Sequence, residues 1–233
     1  MKLSVVIPCY NEEKRIGETL SRIIPYLEQH TEEFEVLIVD DGSTDQTRSC
    51  VETLHDPHVC ILENAQNQGK GYSVRRGILA SNNDWILFSD ADLSTPIEDL
   101  EKLRSYTDQY QLIIGSRALR ESVIIEHQPF YRVLLGKTCN KIVQTLGLWG
   151  IKDTQCGFKL FSKKAAQDIF TKQYLNGFSF DIEALYLARR LGYTIKEVPV
   201  VWKNSPESKV DPIKDSLRIF RDIAHMRWKH RKK

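Results

Sequence analysis

A largely parallel, doubly wound α/β sheet flanked by helices is the fold that this 233-residue sequence predicts, and three observations predict it. Short apolar runs alternate with segments of helical periodicity over about the first 120 residues, as parallel strands with crossover helices require. The joins are short polar turns, and proline or acids stand where the runs end. No stretch of about 18 apolar residues could span a bilayer, and 41% hydrophobic with 27% charged residues is the balance of a soluble globular chain.

Taken in order, LSVVI (3–7) reads as a first strand stopped by Pro8, and NEEKRIGETLSRIIPYLEQH carries apolar residues at helical spacing with Asn11 as a candidate N-cap. FEVLIVDDGSTDQT repeats the scheme, with a strand through Val39, a turn at Asp40, Asp41 and Gly42, and Ser43 or Thr44 capping the next helix. HVCILENAQNQGKGYSVRRGILA and DWILFSDADLSTPIEDLEKL repeat it twice more. Beyond LIIGSRAL the alternation breaks. PFYRVLLGKTCNKIVQTLGLW predicts a long amphipathic helix, CGFKLFSKKAAQDIF a strand and helix, SFDIEALYLARRLG a helix and YTIKEVPVVW a strand. This half is expected to complete the sheet and wall a cleft. With no repeat, low-complexity segment or flexible linker, one continuous domain is expected over 1–210, followed by an amphipathic basic helix and tail over 211–233.

Within that tail, residues 215–233 place Leu217, Phe220, Ile223, Ala224 and Trp228 at helical spacing among seven arginines and lysines. Such a helix closes a core or lies on an anionic membrane surface. A net charge of only +2 predicts no nucleic-acid partner. The opening MKLSVVIP has no signal-peptide pattern, so a cytoplasmic protein is expected. Five widely spaced cysteines (Cys9, Cys50, Cys60, Cys139 and Cys156) form no C-x-x-C pair and read as buried thiols.

In such sheets ligands gather at the carboxyl ends of the strands, where Pro8, Asp40, Asp41, Asp90 and Asp92 fall. Asp90 and Asp92 flank one alanine where a strand has just ended. Two hard oxygen donors there suit Mg²⁺ or Mn²⁺ bound with phosphates; the alternative is a pair of turn acids before STPIEDL. The same DADLST resembles a phosphatase nucleophile loop, but Ser94 replaces threonine and the other acid pair precedes it. A nucleotide-binding module with no catalysis is a further alternative. NQGKG (67–71) is a phosphate-cradling turn or a plain helix entry. Arg117 and Arg132 could form a second phosphate site, and Lys209 lies in a polar loop able to fold over a ligand.

In that order VVIPCYNEE, VDDGSTD, NQGKG, DADLSTP, GSR, DTQCGFKLF, FDIE, EVPVVW and SK resemble the family 2 glycosyltransferases of GT-A fold that load a sugar onto a polyprenyl or dolichyl phosphate. The resemblance implies an inverting transferase using a nucleotide-sugar donor, UDP-glucose by the VPVVW and SK motifs, at the cytosolic face of a membrane. It implies that Pro8, Tyr10, Glu12 and Asp40 hold the nucleoside, that Asp41 supports their loop, and that Lys70 and Gly71 lie beside base and ribose. Asp90 is implied near the ribose or sugar, Asp92 on metal and diphosphate, Arg117 and Arg132 at the acceptor phosphate, and Lys209 on the donor diphosphate. Ser94 and KNSPE depart from the mannose synthases, which leaves open the third metal ligand and a choice between UDP-glucose and GDP-mannose. A phosphate acceptor is dianionic near neutrality and needs no general base. A hydroxyl acceptor would need one, from Asp153, Asp181 or Glu183.

Overall fold

The computed structural model describes residues 1–126, 144, 148–204 and 212–231. Its core is a seven-stranded sheet in the order β3-β2-β1-β4-β7-β5-β8. The strands are β1 (Lys2–Cys9), β2 (Glu33–Asp40), β3 (Val59–Glu63), β4 (Trp85–Ser89), β5 (Leu112–Ser116), β7 (Phe158–Ser162) and β8 (Ile195–Pro199). A separate parallel pair joins β6 (Val123–Ile124) to β9 (Val201–Trp202). The helices are α1 (Ile16–His30), α2 (Thr47–Glu52), α3 (Lys70–Ala80), α4 (Leu100–Arg104), α5 (Lys163–Phe170), α6 (Phe180–Arg190) and α7 (Pro212–Lys229).

Period-two alternation assigns each strand's side chains to opposite faces. Val6, Leu37, Val39, Ile86, Phe88, Leu112 and Ile114 face one side, where α3, α5, α6 and α7 pack. Val5, Ile7, Val36, Ile38, Leu87 and Ile113 face the other, covered by α1 and the segment 97–103. The amphipathic stripe of α1 (Ile16, Leu20, Ile23 and Leu27) is buried at the spacing the sequence shows. Of the cysteines, Cys9 and Cys156 are buried as expected, but Cys50 on α2 is half-buried, and Cys60 is exposed because β3 is the sheet's edge strand. Cys139 lies outside the described residues, as does most of the helix expected over 129–149.

Several local expectations are corrected. Pro8 lies within β1 rather than ending it; the β1–β4 ladder has stopped at Val6–Phe88, so no β4 partner is lost. Asn11 does not cap α1, which starts five residues later; it adopts φ +53° and its side chain accepts the Thr44 N–H instead. Neither Ser43 nor Thr44 caps α2; Asp45 accepts the Thr47 N–H and hydroxyl. β7 runs antiparallel between β4 and β5, and the expected strand 193–202 is divided between β8 and β9.

The C-terminal helix buries Ile223 as expected and departs from the expected stripe at Ala224 and Trp228; the Leu217 and Phe220 side chains are outside those described. Ile219, Ile223 and Met226 are buried against the α6 side, while Ala224 and Trp228 face outward, Trp228 at 71% exposure. Among the described residues no helix is long and apolar enough to cross a membrane.

Candidate active site

Sheet order changes direction at β1, with β2 and β3 on one side and β4 on the other, and a crevice opens at such a switch point. A cavity of about 390 Å³ occupies it. Pro8 and Cys9 at the end of β1 line it with Tyr10, Glu12 and Arg15 after it, Asp41 after β2, Asn67, Gly69, Lys70 and Ser73 around the start of α3, Asp90 and Asp92 after β4, and Phe178 before α6.

Two loops brace each other on the β1–β2 side. Backbone N–H groups of Asn11, Glu12 and Glu13 donate to Ser43 Oγ, Thr47 Oγ1 and Asp45 Oδ2 at 2.9, 2.7 and 3.2 Å, and Gln46 N–H returns a bond to Glu13. Burial works against the Asp45 carboxylate, but the Thr47 and Glu13 hydrogen bonds outweigh it and hold its pKa below the ordinary value. Asp41 is 3% exposed; it accepts Asn64 Nδ2, Gln68 N and Gly69 N at 2.7–2.9 Å, so this carboxylate shapes the NQGKG turn. Gly69 there has φ +99°, and a Cβ on it would stand 2.4 Å from the Asn176 carbonyl oxygen.

The aspartate loop after β4 is pinned from three directions. Asp90 N–H donates to the Gly157 carbonyl (3.1 Å), the Ala91 carbonyl accepts Thr19 Oγ1 (2.6 Å), and Asp92 Oδ1 accepts Ser94 N–H (3.0 Å). Both carboxylates reach the cleft. Asp90 Oδ1 lies 2.6 Å from Lys70 Nζ, and Asp92 Oδ2 lies 3.9 Å from Arg15, which also pairs with Glu12. Burial opposes the Lys70 charge, but Asp90, with Asp181 and Asp92, outweighs it and raises its pKa. Two hard carboxylates on one turn fit a cation that completes its shell with water and phosphate oxygens, as Mg²⁺ does. Among the described residues no group of three acids, histidines or cysteines is placed to hold a metal alone.

Gly157, from DTQCGFKLF, gives Asp90 its room: a Cβ there would stand 1.9 Å from Asp90 Oδ2 and 2.3 Å from Cγ. Gly157→Ala must therefore push the carboxylate off its place. We expect a fall of at least about tenfold in kcat/KM, measured by transfer kinetics against divalent-ion concentration, with half-saturation moved to higher metal.

Other expected residues lie elsewhere. Asp40 is buried and accepts the Ser43 N–H and hydroxyl, and Gly71 is packed under Leu175–Phe180, so neither lines the cleft. Arg117 also misses it: its guanidinium forms a fork on Asp153 (2.7 and 2.9 Å) and stacks over Trp202. Burial opposes both charges, yet each holds the other ionised, with Arg117 raised and Asp153 lowered to about 2. Asp181 bonds Lys159 Nζ at 2.6 Å, and Glu183, fully buried, accepts two backbone N–H groups and faces His230. Arg132 and Lys209 lie outside the described residues. Arg15 and Phe178 are cleft residues the sequence reading missed; for Arg15 the signal was its i,i+3 spacing from Glu12, and for Phe178 there was none.

Residues 4–170 match the model of the family described as Glycosyl transferase family 2. The chain belongs to that family. This family 2 glycosyltransferase is 36% identical to the dolichyl-phosphate beta-glucosyltransferase of Dictyostelium discoideum, over 98% of this chain and 74% of the relative. It is 35% identical to the protein of the same name from Homo sapiens (98% and 76%) and 37% identical to that of Saccharomyces cerevisiae (97% and 74%). Its fold is of GT-A type, superposing on glucosyl-3-phosphoglycerate synthase from Mycobacterium tuberculosis in complex with Mn²⁺, UDP-glucose and phosphoglyceric acid. That match has a TM-score of 0.76 at 18% identity and covers 97% of this chain and 79% of the other.

Proposed function

We propose that this glycosyltransferase moves glucose from UDP-glucose to dolichyl or a related polyprenyl phosphate, with inversion at C1. The relatives named for that reaction, alike over nearly the whole chain, support the substrates. The observation that carries the reading is what surrounds the cleft carboxylates. Glu12 is engaged by Arg15, Asp41 by the turn it shapes, and Asp90 by Lys70, while Asp153, Asp181 and Glu183 are spent on internal partners away from the cleft. A site so arranged suits an acceptor that brings its own nucleophilic charge, and a phosphate monoester does.

In the transfer an acceptor phosphate oxygen forms a bond to C1 as the bond from C1 to the diphosphate breaks, and the electron pair leaves with UDP. Asp90 and Asp92 would hold Mg²⁺ or Mn²⁺, whose charge when bound offsets the negative charge developing on the leaving group. Tyr10, Glu12 and Asp41 would line the nucleoside end, and Lys70 would meet ribose or phosphate. Lys203, six residues before Lys209, is held beside the aspartate loop, its N–H donating to the Ser94 carbonyl at 2.8 Å. Six residues span up to about 20 Å, enough to bring Lys209 over the donor diphosphate. Arg117, fixed by Asp153, would present its remaining N–H edge to the acceptor phosphate, with Arg132 as its partner. The outward face of α7 carries exposed Arg221, Arg227 and Trp228, and exposed Arg231 follows it, a composition suited to docking on the anionic cytosolic face of a membrane.

Incubating the protein with radiolabelled nucleotide sugars, Mg²⁺ or Mn²⁺, and either a polyprenyl phosphate or a water-soluble phosphate ester tests the reading. Label from UDP-glucose is expected in the extracted lipid. Label from GDP-mannose instead would overturn the sugar, label only in the soluble ester would overturn the lipid acceptor, and no label in any product would overturn the transfer.

A further inference from the structure

The C-terminal helix reaches the cleft through one short segment. Residues 174–179 lead into α6, and α7 grips both ends of that segment. At the first end the Tyr174 ring packs against His225 and His230, with centroids 5.4 and 5.5 Å apart, and the Lys229 ammonium sits 3.6 Å over its centre. His230 Nε2 also lies 2.7 Å from Glu183 Oε1, while Glu183 Oε2 accepts the backbone N–H groups of Tyr174 and Leu175 at 3.1 and 2.8 Å. At the second end Ser179 Oγ donates to Asp222 Oδ2 at 2.8 Å.

Between the grips lie the parts that meet the cleft. The Asn176 carbonyl accepts the N–H groups of Gly71 and Tyr72 at 2.7 and 3.2 Å, fixing the turn of α3 that carries Lys70. Phe178 lines the cavity, its ring 5.9 Å from Lys70 Nζ. A fully buried carboxylate must have donors on both oxygens. The two amides satisfy one oxygen of Glu183, and the imidazole of His230, directly after α7, serves the other.

We infer that α7 is a positioning element of the active site. By holding Tyr174 and Ser179 it sets the place of Phe178 and of the Lys70 end of α3, and through them the affinity of the cleft for a nucleoside diphosphate. Glu183, Asp222 and His230 are positioning residues that act through this segment. The inference rests on the cleft being the donor site. It also couples that site to the helix whose outer face carries Trp228 and the basic side chains.

Hydrogen exchange and UDP calorimetry in Mn²⁺ on the full chain test it, comparing wild type with an Asp222→Ala/His230→Ala double variant. The amides of Tyr174, Leu175, Gly71 and Tyr72 are expected to exchange about tenfold faster and UDP to bind about tenfold more weakly, with β1 and β4 as protected as before. His230→Gln, which keeps a donor toward Glu183, is expected to recover most of the affinity lost by His230→Ala. Faster exchange confined to α7, or loosened amides with unchanged UDP affinity, would overturn the coupling. If the double variant loses protection in β1 and β4, Ser179→Ala, which removes one hydroxyl, carries the same comparison. A wild type that binds no UDP would overturn the donor assignment, and the exchange rates alone would then decide whether α7 holds the segment.

Discussion

Asp92→Asn is expected to lower kcat/KM for sugar transfer by about 10³-fold, the scale of losing one stabilising charge at a developing anion. The substitution is nearly isosteric and its amide oxygen can still accept the Ser94 N–H that Asp92 Oδ1 accepts at 3.0 Å, so the loop should keep its shape. The thermal midpoint is therefore expected to move by no more than about 2 °C. What is lost is a hard negative donor in the cleft. Raising Mn²⁺ to saturation should recover only a small part of the rate. Activity within about threefold of wild type would remove Asp92 from the metal and diphosphate role.

The second large effect falls on stability. Asp153→Ala strips Arg117 of both arms of its fork and leaves a guanidinium held between Trp202 and the core without its counter-charge. Breaking a buried pair from one side costs about 3–5 kcal/mol, and Arg117 is partly exposed, so the lower figure applies. Denaturant unfolding should show it as a lower midpoint at unchanged slope. The same pair gives a signature in acid. The Asp153 pKa is depressed to about 2 from an ordinary 3.8, so its contribution is fully present above about pH 4 and disappears as pH falls toward 2. It amounts to about 2 kcal/mol, and the Asp153→Ala chain should lack that part of the wild-type acid sensitivity. A variant as stable as wild type at pH 7 would show that Arg117 finds another partner.

The features legible in the sequence are those that repeat locally. Alternating Val, Leu and Ile gave the strands, and acids at their ends marked the ligand-binding edge, because both signals lie within a few residues of each other. The antiparallel sense of β7 was not legible, since a short apolar strand pattern carries no direction and only its neighbours β4 and β5 orient it. Arg117 was visible as a cation after a strand, but its fork on Asp153 joins residues far apart in the chain. For α7, apolar residues lie on more than one face, and Ile219 and Met226 join Ile223 against α6 while Trp228 is left outside, a choice made by packing and not by spacing. Asn11 misled because asparagine is as well suited to a left-handed turn as to a helix cap.

The direction of β7 has a bearing on how the protein is made. Because that strand runs against its neighbours, it begins at the ligand-binding edge, and Gly157, the residue just before it, meets Asp90 with a carbonyl that accepts the Asp90 N–H. During synthesis the ribosome will have released β1 to β5 well before Gly157 exists, so the first half of the sheet can assemble with a gap between β4 and β5. Until that gap is filled from the later half of the chain the aspartate loop has its Thr19 and Ser94 contacts but lacks the Gly157 carbonyl. The room and the carbonyl that set Asp90 in place are therefore among the last features of the cleft to form.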